Sequence, residues 1–245
     1  VRIEVDVLPP QVMQVEDIRP SGWACAYLVS NGEDAILIDP VWDHIEHYES
    51  ILRERELTLI ACMATHTHAD HITACFSLSR DKDIPYIMWK DTASLGVTLY
   101  VDEFTVLNIA GIEFSFHHVP GHTQDSMIIE TDNHIFTGDF FFNGEAGVGR
   151  DDLPSGRLEQ HWSSLEVLKR FPEDTLVCSG HEPPNTELQT LGWNRKNNPI
   201  LAMKSFEEFM KWQNESAEKL GSVSKIKVAL PANIFAEIPD EIPWL

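Results

Sequence analysis

The stretch Ala64-Thr65-His66-Thr67-His68-Ala69-Asp70-His71 constrains this chain more than any other. It follows Leu59-Ile60-Ala61-Cys62-Met63, an apolar run of buried-strand length, and precedes Ile72–Ser79, which reads as a helix with Asp70 near its N-terminus. On an extended chain, residues two apart point to the same side, so His66 and His68 leave together. Three imidazoles and a carboxylate at the mouth of a buried strand are the donors a transition metal needs. The pattern predicts a metal site.

Four strand-like runs end in such groups. Ile112–Val119 runs into Pro120-Gly121-His122-Thr123, His134–Thr137 into Gly138-Asp139, and Thr175–Cys178 into Ser179-Gly180-His181-Glu182. Active sites of layered α/β proteins are built from loops at strand ends, so His66 to His71, His122, Asp139 and His181 are expected to converge. The glycines beside them let backbone approach closely.

The remaining elements follow from periodicity. Val1–Val7 alternates apolar and polar residues, a half-buried strand rather than a signal peptide. Ala24–Ser30 and Ala35–Ile38 are strands joined across Asn31-Gly32, and Asp39-Pro40 closes the second. Trp42–Glu56 and Leu158–Phe171 read as amphipathic helices. Strands are expected at Pro85–Met88, Phe104–Ile109 and Ser126–Thr131. A helical region from Asn198 to about Gln213, a linker-like polar stretch Asn214–Ser224 and a final short strand Ile226–Leu230 complete the chain. Residues 1–245 are expected to form one domain, with those after about 195 as a C-terminal helical extension and short strand.

Composition narrows the function classes. With 39 acidic against 18 basic residues the net charge is -21, which argues against nucleic acid or an anionic membrane as partner. No apolar run is long enough to span a bilayer. Cys25, Cys62, Cys75 and Cys178 form no CxxC pair and lie in or beside apolar segments, which suits reduced core thiols and a cytoplasmic location.

The ordered motifs THTHADH, PGHT, TGD and GHE resemble those of the metallo-β-lactamase superfamily. The resemblance implies an α/β fold, the αββα four-layer sandwich. It also implies that His66, His68, Asp70, His71, His122, Asp139 and His181 are the metal-site residues. Within that superfamily, HADHITA, Gly149-Arg150-Asp151-Asp152, Arg195-Lys196-Asn197-Asn198-Pro199 and Ala229-Leu230-Pro231-Ala232-Asn233 are similar to segments of the persulfide dioxygenases, also called sulfur dioxygenases. Glu182-Pro183-Pro184 stands where that branch commonly has a Tyr beside the thiol, which speaks against glutathione as carrier.

The dioxygenase likeness implies one Fe2+ per chain on His66, His122 and Asp139, oxidising a small thiol persulfide, glutathione persulfide or similar, with O2 to sulfite and thiol, without flavin or nicotinamide. His68, Asp70, His71 and His181 would orient the ligands, and Arg150 and Arg195 would hold the carrier's carboxylates. It leaves room for a homodimer. The rival implication is a hydroxyacylglutathione hydrolase (glyoxalase II) type enzyme. There the same seven residues would hold two Zn2+, or mixed Fe and Zn, and a thioester would be cleaved.

Overall fold

The computed structural model describes residues 12–245; the strand expected at residues 1–7 lies outside them. The strands are β1 Gln14–Asp17, β2 Tyr27–Asn31, β3 Asp34–Ile38, β4 Thr58–Met63, β5 Tyr86–Trp89, β6 Leu99–Val101, β7 Val106–Ile109, β8 Ile112–His118, β9 Met127–Thr131, β10 His134–Gly138, β11 Leu176–Ser179 and β12 Gln189–Thr190. The helices are α1 Ile45–Glu54, α2 Cys75–Lys82, α3 Leu158–Ser164, α4 Leu191–Asn197, α5 Pro199–Ala202, α6 Phe206–Leu220 and α7 Ile226–Phe235.

Two six-stranded sheets form, in the orders β1-β2-β3-β4-β5-β6 and β12-β11-β10-β9-β8-β7. In the first, β1 to β3 are antiparallel and β3 to β6 parallel. In the second, β7 to β10 are antiparallel and β11 runs parallel to β10. Alternation dictates the facing: in β8, Ile112, Phe114 and Phe116 are buried while Glu113 is exposed. These side chains meet Tyr27, Ile36 and Met63 of the first sheet in a core between the sheets. Outside the first sheet lie Tyr48 and Leu52 of α1, Phe76 and Leu78 of α2 and Ala229 and Ala232 of α7. Outside the second lie Leu165, Leu191, Ile200 and Phe209. The four-layer αββα sandwich is the result.

Departures from expectation have local causes. The helix expected at Ile72–Ser79 begins only at Cys75, because residues 72–74 pair in β fashion with the segment after β3: Trp42 N–H donates to Ile72 O at 2.8 Å and Ala74 N–H to Pro40 O at 2.7 Å. Asp70 is therefore not at a helix N-terminus. Leu158–Phe171 divides into α3 and a 3-10 turn at Leu165–Arg170, and a shorter 3-10 turn, Trp42–His44, precedes α1. The helical region after Asn198 becomes α5 and α6. Ser205 caps α6 by accepting from Glu208 N–H at 3.3 Å, and the linker-like stretch Asn214–Ser224 is helical through Leu220. Ile226–Leu230 is not a strand. Buried Ala229, Ala232 and Asn233 recur at helical spacing, and that small-residue face packs α7 onto the first sheet. Strands β1, β6 and β12, short and at or next to sheet edges, carry no readable alternation.

Candidate metal centre

β3 and β4 are parallel neighbours, so the loops after them emerge side by side. Asp39, just past β3, adopts φ 54° and turns its carboxylate beneath the histidine loop. It accepts from Thr65 N–H and Thr65 Oγ1, both at 2.8 Å, and from His68 Nε2 at 3.1 Å. In the sequence Asp39 reads only as a strand terminator. The available signal is an acid ending the strand that precedes the histidine strand. With Nε2–H donated to Asp39, Nδ1 of His68 carries the free lone pair.

His66, His122 and Asp139 come together, their nearest donor atoms all within 4.8 Å of one another, and all three are buried. His122 Nδ1–H donates to the Arg150 carbonyl at 2.5 Å, which leaves Nε2 facing Asp139 Oδ2 at 3.6 Å. A second trio, His68, Asp70 and His71, satisfies the same distance limit. His66 Nε2, His68 Nδ1 and His71 Nε2 are buried without a hydrogen-bond partner among the described residues. Buried polar atoms are nearly always partnered, so three orphaned imidazole nitrogens in one place fit a bound cation.

His181 joins the two trios. Its Nδ1 donates to Asp139 Oδ1 at 2.8 Å and its Nε2 to Asp70 Oδ2 at 3.0 Å. Burial opposes its charge, but the two carboxylates outweigh burial and hold its pKa well above the usual histidine value. At His66 burial dominates, aided by His68, and keeps the ring neutral, the form a metal requires. Asp139 is poised the other way: burial resists its ionisation, yet His181, His122 and His66 hold its carboxyl far below the ordinary range.

Close backbone approach shapes the floor. Gly138 has φ 51°, and a Cβ there would strike Thr65 Oγ1; a Cβ on Gly180 would strike Asp139 Oδ1. Both glycines leave room for the donors.

The donors open into a cavity of about 1320 Å³, floored by Asp70, His71, His122, Asp139 and His181 and walled by Trp23, Phe142, Trp193 and Trp212. Arg150 reaches this cavity, but its guanidinium forks onto Asp152 at 2.6 and 2.7 Å and donates to Gly221 O at 2.7 Å. Arg195 is not among its lining residues; it pairs with Glu173 and donates to Leu168 O and Phe171 O at 3.1 and 3.2 Å. Asn233 is a participant whose role the sequence does not announce. Its Nδ2 donates to His68 O and His71 O and its Oδ1 accepts from Thr73 N–H, all at 2.9 Å.

The family model of the metallo-beta-lactamase superfamily matches residues 25–181, the span that carries every donor described above. The chain belongs to the metallo-beta-lactamase superfamily. Among superfamily members, it is 33 % identical over 156 residues to the hydroxyacylglutathione hydrolase of Hamiltonella defensa, a match covering 63 % of this chain. It spans 60 % of that hydrolase's length, and 47 % of the Yersinia pestis one. ETHE1 from Myxococcus xanthus superposes with a TM-score of 0.83 at 28 % identity, covering 92 % of this chain and 99 % of its own. TTHA1623 in a di-iron-bound form gives 0.61 at 29 % identity, covering 77 % and 100 % respectively. Among the described residues no helix is long and apolar enough to cross a membrane.

Proposed function

We propose that this protein is a persulfide dioxygenase: a thiol persulfide, O2 and water give the free thiol, sulfite and two protons. The observation that carries the reading is the division of labour in the centre. His66, His122 and Asp139 form a buried two-histidine, one-carboxylate set, while both ring nitrogens of His181 are engaged by Asp139 and Asp70. Such a set would hold one ferrous ion and supply open coordination places and a one-electron reductant for O2. The ordered dioxygenase-like motifs and the end-to-end match to ETHE1 support the reading.

The chain's own residues then have defined roles. The Arg150 carbonyl fixes the His122 tautomer so that Nε2 faces the cavity. Asp39 fixes the opposite tautomer of His68, engaging Nε2 and leaving Nδ1 free. His181 holds a proton between Asp139 and Asp70 at the cavity floor, where the sulfur oxidation releases acid. The indoles of Trp193 and Trp212 would flank the persulfide's carrier arm along the cavity wall.

The second trio favours one other reading, a dinuclear thioester hydrolase with two metals on His66, His68, Asp70, His71, His122, Asp139 and His181, Asp139 being shared. The relation to hydroxyacylglutathione hydrolases points the same way. Metal analysis of protein purified without chelator, with oxygen-electrode and S-lactoylglutathione assays on one preparation, separates them. About one iron per chain and persulfide-dependent oxygen uptake are expected; thioester cleavage without oxygen uptake by iron-loaded protein would overturn the proposal.

A further inference from the structure

Acids outnumber bases 39 to 18, yet residues 219–236 contain three lysines and no acid. Lys219 lies in the last turn of α6, residues 221–225 join α6 to α7, and Lys219, Ser222, Ser224 and Lys225 line the same cavity as the candidate metal donors. Among the described residues five lysines, Lys196, Lys204, Lys219, Lys225 and Lys227, have no carboxylate partner within 4.0 Å, and of these Lys219 and Lys225 are the two that line the cavity. Lys225 sits over the Trp244 ring at 4.7 Å, which holds its ammonium on the wall. Arg150, bonded to the Gly221 carbonyl, fastens the middle of the segment. In a strongly acidic protein, two uncompensated ammonium groups on the cavity wall mark where an anion is received.

The cavity also exceeds the usual range for small-ligand sites, about 300–1,000 Å³. Trp193 and Trp212 on its wall offer planar faces for a base. The two arginines that would have received a small carboxylate carrier are bound internally, Arg150 to Asp152 and Arg195 to Glu173.

We infer that the carrier thiol is of the coenzyme A class, with Lys219 and Lys225 holding its phosphate-bearing end while its sulfur reaches the metal centre. For the sulfur chemistry this rests on the dioxygenase reading; for the carrier it rests on residues distant in sequence from every metal donor.

The test is calorimetric titration of the metal-loaded protein with coenzyme A, pantetheine and glutathione, in the wild type and in the K219Q/K225Q double variant. Coenzyme A should bind at least about tenfold more tightly than pantetheine, which has the same thiol arm without phosphates. The double variant should erase that difference and leave pantetheine unchanged, and added KCl should weaken coenzyme A selectively. Equal binding of coenzyme A and pantetheine, tighter binding of glutathione, or an unchanged coenzyme A affinity in the double variant would each overturn the inference. Oxygen uptake with coenzyme A persulfide is read separately. Phosphate-dependent binding without oxygen uptake from any persulfide would reject the dioxygenase reading while supporting the carrier assignment.

Discussion

Replacing Asn233 with Ala should destabilise the protein as a core truncation would, although Asn233 touches no donor atom. Its amide nitrogen bridges the carbonyls of His68 and His71, and its oxygen receives Thr73 N–H, so one side chain holds the histidine loop at three points. Each such bond contributes about 1 kcal/mol net, and leaving the buried Thr73 N–H unpaired adds about 1–2 kcal/mol. The sum, roughly 4 kcal/mol, corresponds to a fall in melting temperature of about 8–16 °C for a chain of this length. Because the clamp acts on backbone, the fall should appear in metal-free and metal-loaded protein alike. Asn233→Asp should be worse than Ala, since it turns an anion toward two carbonyl oxygens. Calorimetric melting of the three proteins, with and without metal, provides the check. A variant melting within about 2 °C of wild type, or a deficit present only in loaded protein, would refute the clamp.

Alanine at His66, His122 or Asp139 should abolish bound metal, whereas His181→Ala should weaken it roughly 10- to 100-fold; metal analysis after dialysis distinguishes the cases. Gly180→Ala should also release metal, because its Cβ would strike Asp139 Oδ1; far-ultraviolet circular dichroism should show the fold retained. All four cysteines are buried, and burial pushes the Cys25 thiol up to about 12. At pH 8 it is the protonated, unreactive form, so Ellman's reagent should titrate no thiol until denaturant is added. With a net charge of -21, surface carboxylates repel one another at low ionic strength, so the melting temperature should rise from dilute buffer to molar KCl; a flat response would remove the argument.

The centre is legible in sequence because metal chemistry demands rare residue types at strand ends. His66, His122, Asp139 and His181 each follow an apolar run whose pairing places it in one of two sheets, and the sandwich brings those ends together. What is not legible depends on partners distant in the chain. Residues 72–74 look helical, but the segment at residues 40–42 captures their backbone groups. Ile226–Leu230 looks like a strand until Asn233 and the alanines find the first sheet. Arg195 has the right chemistry for a carboxylate, but Glu173 and two carbonyls of the preceding loop take it first.

The shorter motifs acquire a common physical meaning from these contacts. Asn198, within Arg195-Lys196-Asn197-Asn198-Pro199, donates to Phe142 O and Gly147 O and accepts from Ile200 N–H, all at 2.9 Å. It thereby braces the loop that follows Asp139, whose own carbonyl receives Gly149 N–H at 2.9 Å. Arg150 ties that loop to Gly221, and its carbonyl orients His122. Asn233 braces the histidine loop. Asn198 and Asn233 therefore act on backbone beside a donor, and Arg150 acts through its own carbonyl on the ring of His122. A side-chain amide suits such bracing because it presents donor and acceptor together and stays uncharged beside buried carboxylates. Substitution of these residues should consequently loosen the centre without changing which metal it selects, whereas substitutions on the cavity wall built by α6 and the segment that follows it should act on carrier binding and leave the donors in place.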